Sequence, residues 1–157
     1  LSQPADAFVA SFVGRDRGYR ALAFEQAPPL ATQHEPAVRL GTDLASPEGR
    51  DIVRSAVDGW LLVVDDEQQP QGWLDLRTPP TGPVDDAAVH RGGTLATQGG
   101  SFRQALDAAL SSPSGRGVVV DDEGRLIGSV TASEVVTAIE GRAARQREDR
   151  AGDPVPG

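Results

Sequence analysis

Apolar residues along this chain fall into two rhythms. Trp60–Val64 and Gly117–Val120 are short unbroken apolar runs, the pattern of a strand buried on both faces. Phe102, Ala105, Leu106, Ala109 and Leu110 instead recur at helical spacing, and Ser101 just ahead of them is a natural cap. Ile52, Val53 and Ala56 mark a weaker helix over 47–57, opened by Pro47. Shorter strands are predicted at Gly72–Leu76 and Leu126–Thr131. A closing helix carries Val135, Val136 and Ile139 and is expected to stop at Gly141. Near the start, Phe8, Val9, Phe12 and Val13 form one stripe behind Pro4, which predicts a helix over 4–13 ended by Gly14. That stripe covers either this domain's own core or an upstream domain.

The strands and helices repeat. Val63-Val64-Asp65-Asp66-Glu67, four residues and Gly72 match Val119-Val120-Asp121-Asp122-Glu123, four residues and Gly128, without a gap. Each copy reads as helix, strand, acidic turn and strand. A closing helix is expected only in the second, because Pro79 disfavours the helical conformation of Thr78. The expected architecture is α/β: two β-α-β-β-α repeats with pseudo-twofold symmetry, each covering the other's open sheet. The Pro-rich stretches 25–37 and 77–87 read as linkers, and the Pro/Gly-rich tail from Ala151 as disordered.

Composition narrows the function more than the fold. All 15 basic residues are Arg, set against 23 acidic ones, for a net charge of −8. Such a surface repels phosphate backbones, so no nucleic-acid partner is expected. The absence of Cys removes disulfides and thiolate metal sites. No apolar run approaches the roughly 20 residues that span a bilayer, so membrane insertion is not expected. With no Met in the chain, a fragment of a longer protein is the expectation. His34 and His90 have no nucleophile–base spacing around them, and no catalytic role is expected for this segment. The acidic turns at 65–67 and 121–123 lack the spaced carboxylates of a calcium loop and read as solvated turn formers, not metal sites. Trp60 and Trp73 are expected in the core or between subunits.

The stretch from Val118 through Val-Val-Asp-Asp-Glu-Gly-Arg-Leu-Ile-Gly-Ser-Val-Thr-Ala-Ser to Glu134 resembles the signature hairpin and closing helix of a cystathionine-β-synthase-type (CBS) motif. Two such motifs resemble a tandem CBS pair, which implies two clefts that in many members hold adenosine-containing ligands such as ATP, AMP or cyclic di-AMP. The segment from Pro4 to Arg17 is similar to the end of the nucleotide-binding domain in glycine-betaine/proline (osmoprotectant) ABC importer ATPases, where a CBS pair follows. The resemblance implies the end of that ATPase domain at 1–24, a linker at 25–35 and a degenerate first motif at 36–78. A second linker at 79–87, the second motif at 88–141 and a basic, then disordered, tail at 142–157 complete the order. It also implies a regulatory, non-catalytic, cytoplasmic module at the inner face of the plasma membrane, one that senses an adenine nucleotide or ionic strength to control transport. The alternative is a ligand-free dimerisation module that holds two ATPase subunits together. Its partners would be the ATPase domain, a transmembrane permease and a second copy in a homodimer. No GxxxxGK[ST] phosphate loop is present, since the chain has no Lys.

By the same resemblance Thr131 contacts ribose or phosphate, Glu134 takes the place of the usual ribose-binding Asp, and Val118 and Arg116 lie beside the ligand. The physics is compatible, because a helix N-terminus attracts phosphate and a carboxylate accepts hydrogen bonds from a diol. Thr131-x-x-Glu134 is equally a capping box that serves the helix alone. Arg116 reads either as a phosphate counter-charge or as a solvated surface residue, the second being the commoner fate of Arg. In the first motif the matching positions are Asp75 and Thr78, which puts a carboxylate beside any phosphate and argues against a nucleotide there.

Overall fold

The computed structural model describes residues 30–152, with side chains to residue 144. The expected helix over 4–13 lies outside the described residues. The first repeat comprises β1 (Ala37–Arg39), α1 (Pro47–Ser55), β2 (Trp60–Val64) and β3 (Pro70–Asp75). The second comprises β4 (Ala96–Thr97), α2 (Phe102–Ser111), β5 (Arg116–Val120), β6 (Leu126–Thr131) and α3 (Ala132–Gly152). Each forms a three-stranded sheet in which the first strand runs parallel to the second and the second antiparallel to the third. Both hairpins carry an irregularity at matched places, between Val63 and Val64 and between Val119 and Val120. The repeat is thus structural down to its register.

Local chemistry starts and turns these elements. Ser46 and Ser101 accept hydrogen bonds from the amides of Gly49 and Gln104, capping α1 and α2. In the acidic turns, Asp65 Oδ1 accepts from the amides of Glu67 and Gln69, and Asp121 Oδ1 from those of Glu123 and Arg125. These carboxylates are spent on turn geometry.

Alternate residues of the central strands serve two cores. Leu61 and Val63 face the first repeat's core with Val38 and Leu74, while Val119 and Val130 join Phe102, Leu106 and Val135 in the second. The opposite faces meet: Leu62, Val64 and Trp73 pack against Val118 and Val120. Burial on both faces is why these strands read as unbroken apolar runs. Each fully buried Val or Leu contributes about 1.5–3 kcal/mol relative to exposure, so the sheet-to-sheet interface binds the repeats into one unit.

Three expectations change. The closing helix, expected to stop at Gly141, continues to Gly152 and takes in the basic stretch 142–150 and the first two residues of the tail expected to be disordered from Ala151. A single Gly without a Schellman-type turn costs only about 1 kcal/mol, and the Ala- and Arg-rich sequence beyond it favours helix. The expected linker at 79–87 is partly core: Val84 is buried, and its backbone bonds Gly41 and Thr42. With Pro79 and Pro80 excluding a helix, Val84 and Val89 cover the first repeat instead, around a short 3-10 turn at Asp86–Ala88. The linker at 25–35 ends in residues fastened to the second repeat, through Gln33 and Glu35.

Candidate ligand face and clefts

Register decides which side chains of the second repeat look toward the first. Arg116 is the cross-strand partner of Thr131, and Val118 that of Ser129. Opposed residues of an antiparallel pair share a face, and Val118 packs in the inter-repeat cluster. The four residues therefore share the face turned to the first repeat. Glu134 follows one turn into the helix. Of the four residues singled out from the sequence, Arg116, Val118 and Thr131 share this face, whereas Glu134 lines a separate groove and meets them through its bonds to Thr131.

Their bonding differs from a simple waiting site. The Thr131 amide donates to Glu134 Oε1 at 2.8 Å, and the Glu134 amide donates to Thr131 Oγ1 at 3.2 Å. This is the full reciprocal capping box. Glu134 Oε2 accepts from the Gln33 side-chain amide at 3.3 Å, so both carboxylate oxygens are engaged.

Arg116 is not solvated. Its side chain is only 10% exposed, and it pairs with Glu35, which is 1% exposed. Arg116 Nε donates to Glu35 Oε1 at 2.7 Å and Nη2 to Oε2 at 3.3 Å, while Nη1 and Nη2 also donate to the carbonyls of Val57 and Trp60 at 3.1 Å each. The guanidinium further lies 5.1 Å from the Trp73 ring centroid. A charge taken out of water requires such partners. No local signal announces the pair, because Glu35 lies 81 residues from Arg116 in a stretch without periodicity. Trp60 makes an edge contact with His90, which places both tryptophans at the junction of the repeats.

The segments preceding the two sheets cross over. Gln33 exchanges two backbone hydrogen bonds with Ser129 (2.9 and 3.0 Å), and His90 exchanges two with Trp73 (3.0 and 2.7 Å). Trp73 and Ser129 are equivalent positions of the repeat, so the pseudo-twofold extends to these leaders. Beyond His90 come Arg91, Gly92 and Gly93, and beside them opens a cleft of about 230 Å³ lined also by Leu62, Gly72 and the Arg116–Val118 edge. Arg91 is held by Asp86 at 2.8 Å and by the Gln71 carbonyl at 3.3 Å. On the second-motif side a shallower groove of about 350 Å³ runs along Leu30, Ser133, Glu134 and Thr137.

In the first motif Asp75 grips Arg77 through Nε and Nη2, at 3.0 and 2.9 Å, and also accepts the Arg77 amide. Those bonds, the guanidinium's first, hold its carboxyl below the ordinary carboxylate range. Asp121 is likewise lowered, chiefly by the Arg125 amide. Among the described residues no group of three or more His, Cys, Asp or Glu could hold a metal ion, and no helix is long and apolar enough to cross a membrane.

No family model matches the sequence, and no curated protein matches it. Solved structures do. The chain is similar to the cystathionine beta-synthase pair domain of a candidate Mg2+ transporter from Shewanella oneidensis MR-1, at 21% identity and a TM-score of 0.58 over 88% of this chain and 85% of that one. It is similar to Staphylococcus aureus OpuCA at 17% identity and a TM-score of 0.52, covering 71% and 95% of the two chains. The CBS-pair protein CBSX2 from Arabidopsis thaliana gives 20% identity and a TM-score of 0.51 over 82% and 96%. With its two crossed leaders and facing sheets, the chain has the α/β fold of a CBS pair.

Proposed function

We propose that this chain is the regulatory CBS pair of an osmoprotectant-type ABC importer ATPase, and that an adenine nucleotide bound between the repeats biases the arrangement passed to that ATPase. The observation that carries the nucleotide reading is the shared face: Arg116, Val118 and Thr131 side by side, with Glu134 one turn on. It offers a cation, an apolar wall, a hydroxyl and a carboxylate, the four chemistries a nucleotide uses. The transporter assignment is supported by the resemblance of the segment from Pro4 to Arg17 to the end of an importer ATPase domain, and by the order in which a linker and a CBS pair follow it. A ligand acts on such a module only through different affinities for two arrangements.

Calorimetric titration with ATP, AMP and cyclic di-AMP tests this. Saturable binding of at least one, weakened by Glu134→Ala, is the expected result; no heat with any of the three sinks the nucleotide reading.

A second reading, a dimerisation module without a ligand, is favoured by one specific observation. Glu134 and Arg116 are already satisfied within the chain, through the capping box and the Glu35 pair. Under that reading Thr131→Ala lowers the melting temperature and there is no nucleotide affinity to lose.

A further inference from the structure

The two leaders are equivalent in backbone and opposite in chemistry. Gln33 and His90 make the same paired bonds to Ser129 and Trp73. Two residues beyond His90 stands Gly92, on the wall of the 230 Å³ cleft. Two residues beyond Gln33 stands Glu35, whose buried carboxylate takes the Arg116 guanidinium. Gln33 itself donates to Glu134. The leader 33–35 thus presents an anion to the cation of the ligand face and a hydrogen donor to its carboxylate. Those are the parts that a phosphate and a ribose hydroxyl would play.

We propose that residues 33–35 are an intramolecular stand-in for the ligand. Nucleotide binding exchanges Glu35 for phosphate on Arg116 and Gln33 for a ribose hydroxyl on Glu134, and so loosens the segment that joins β1 to the preceding chain. The proposal rests on the nucleotide reading above and adds to it a route by which occupancy reaches upstream residues. Energetics allow the exchange. A buried ion pair contributes little net stability once desolvation is counted, so swapping one anion for another costs little, and the released Glu35 regains its hydration. The leader is bound to the second repeat by a few polar bonds, which makes it a unit that can open locally while both cores stay intact.

The test compares the full 157-residue chain with its Gln33→Ala and Glu35→Gln variants, titrating each with AMP and ATP and following amide exchange at Gln33 and Ser129. Competition predicts that Gln33→Ala binds about fivefold tighter, the worth of one net hydrogen bond. Glu35→Gln is expected to gain more for ATP than for AMP. In the wild type, AMP is expected to speed exchange at Gln33 and Ser129. Equal or weaker binding by Gln33→Ala, or slower exchange at those amides with AMP, overturns the stand-in while leaving the nucleotide reading intact. Absence of binding in all three chains removes the nucleotide reading and the stand-in with it. If Glu35→Gln does not fold, Gln33→Ala still decides, because an exposed Gln held by one 3.3 Å side-chain bond is not needed for folding.

Discussion

At the scale of single residues, the Glu35–Arg116 pair matters most. Replacing one partner strands the other in the interior, and breaking a buried pair costs about 3–5 kcal/mol. Arg116→Met is therefore expected to lower the urea midpoint severely, whereas the double replacement Glu35→Leu with Arg116→Met recovers most of the loss. A single replacement that costs under about 1 kcal/mol would show the pair to be solvated after all. Thr131 carries a smaller load. Its hydroxyl caps the closing helix, so Thr131→Ala is expected to cost about 1 kcal/mol of stability. If it also contacts nucleotide, about 1.5–3 kcal/mol of affinity goes with it. Calorimetry and melting on the same variant separate the two roles. Asp75 and Asp121 give a pH signature. Their folded-state pKa values are depressed, so the stability they add is present above the unfolded value and disappears as pH falls through the folded value. Acid unfolding of Asp75→Asn is accordingly expected to be less steep than that of the wild type; an identical slope would contradict the Arg77 contact as its cause.

At the scale of elements, the sequence was legible where one local rule decided the outcome. The apolar run Trp60–Val64 is β2 to the residue, Ser101 caps α2, and Leu126–Thr131 is β6. It was illegible where long-range contacts decided. Nothing near Val84 announces that it plugs the first repeat in place of the helix that Pro79 forbids, and nothing near Gln33 points to Ser129. Gly141 misled for a different reason. Its backbone stays helical, so the residue is a weak point in α3 and not a stop, and a Cβ there meets no atom within 4 Å. Gly141→Ala is therefore expected to stabilise by about 0.5–1 kcal/mol, read as a higher melting temperature. Gly128 is the opposite case. A Cβ would lie 2.5 Å from the Gln33 carbonyl, as one at Gly72 would lie 2.7 Å from that of His90. Both glycines let a leader cross a strand edge. Gly128→Ala is expected to cost about 1–3 kcal/mol by overpacking and to speed amide exchange at Gln33; a neutral substitution would mean the leader sits farther from β6.

At the scale of the whole molecule, cohesion and charge are separate matters. The repeats are joined by Leu62, Val64, Trp73, Val118 and Val120, by the Glu35–Arg116 pair and by the two crossed leaders. The surplus of carboxylates is spread over both: residues 43–78 hold eight with three Arg, and residues 79–141 hold eight with four. Among the described residues, every ion pair except Glu35–Arg116 has at least one partner more than two-fifths exposed, so these contribute little and weaken with salt. Raising salt shortens the screening length from about 10 Å at 0.1 M to about 3 Å at 1 M. That relieves repulsion within each repeat and leaves the apolar interface untouched. The chain on its own is therefore expected to keep its radius of gyration across that range in small-angle scattering. Under the transporter reading proposed above, ionic-strength sensing then depends on partners outside these repeats. A compaction or expansion of the isolated chain by more than a few per cent would place the sensor in the pair itself, with the exposed acidic turns at 65–67 and 121–123 as the first groups to neutralise.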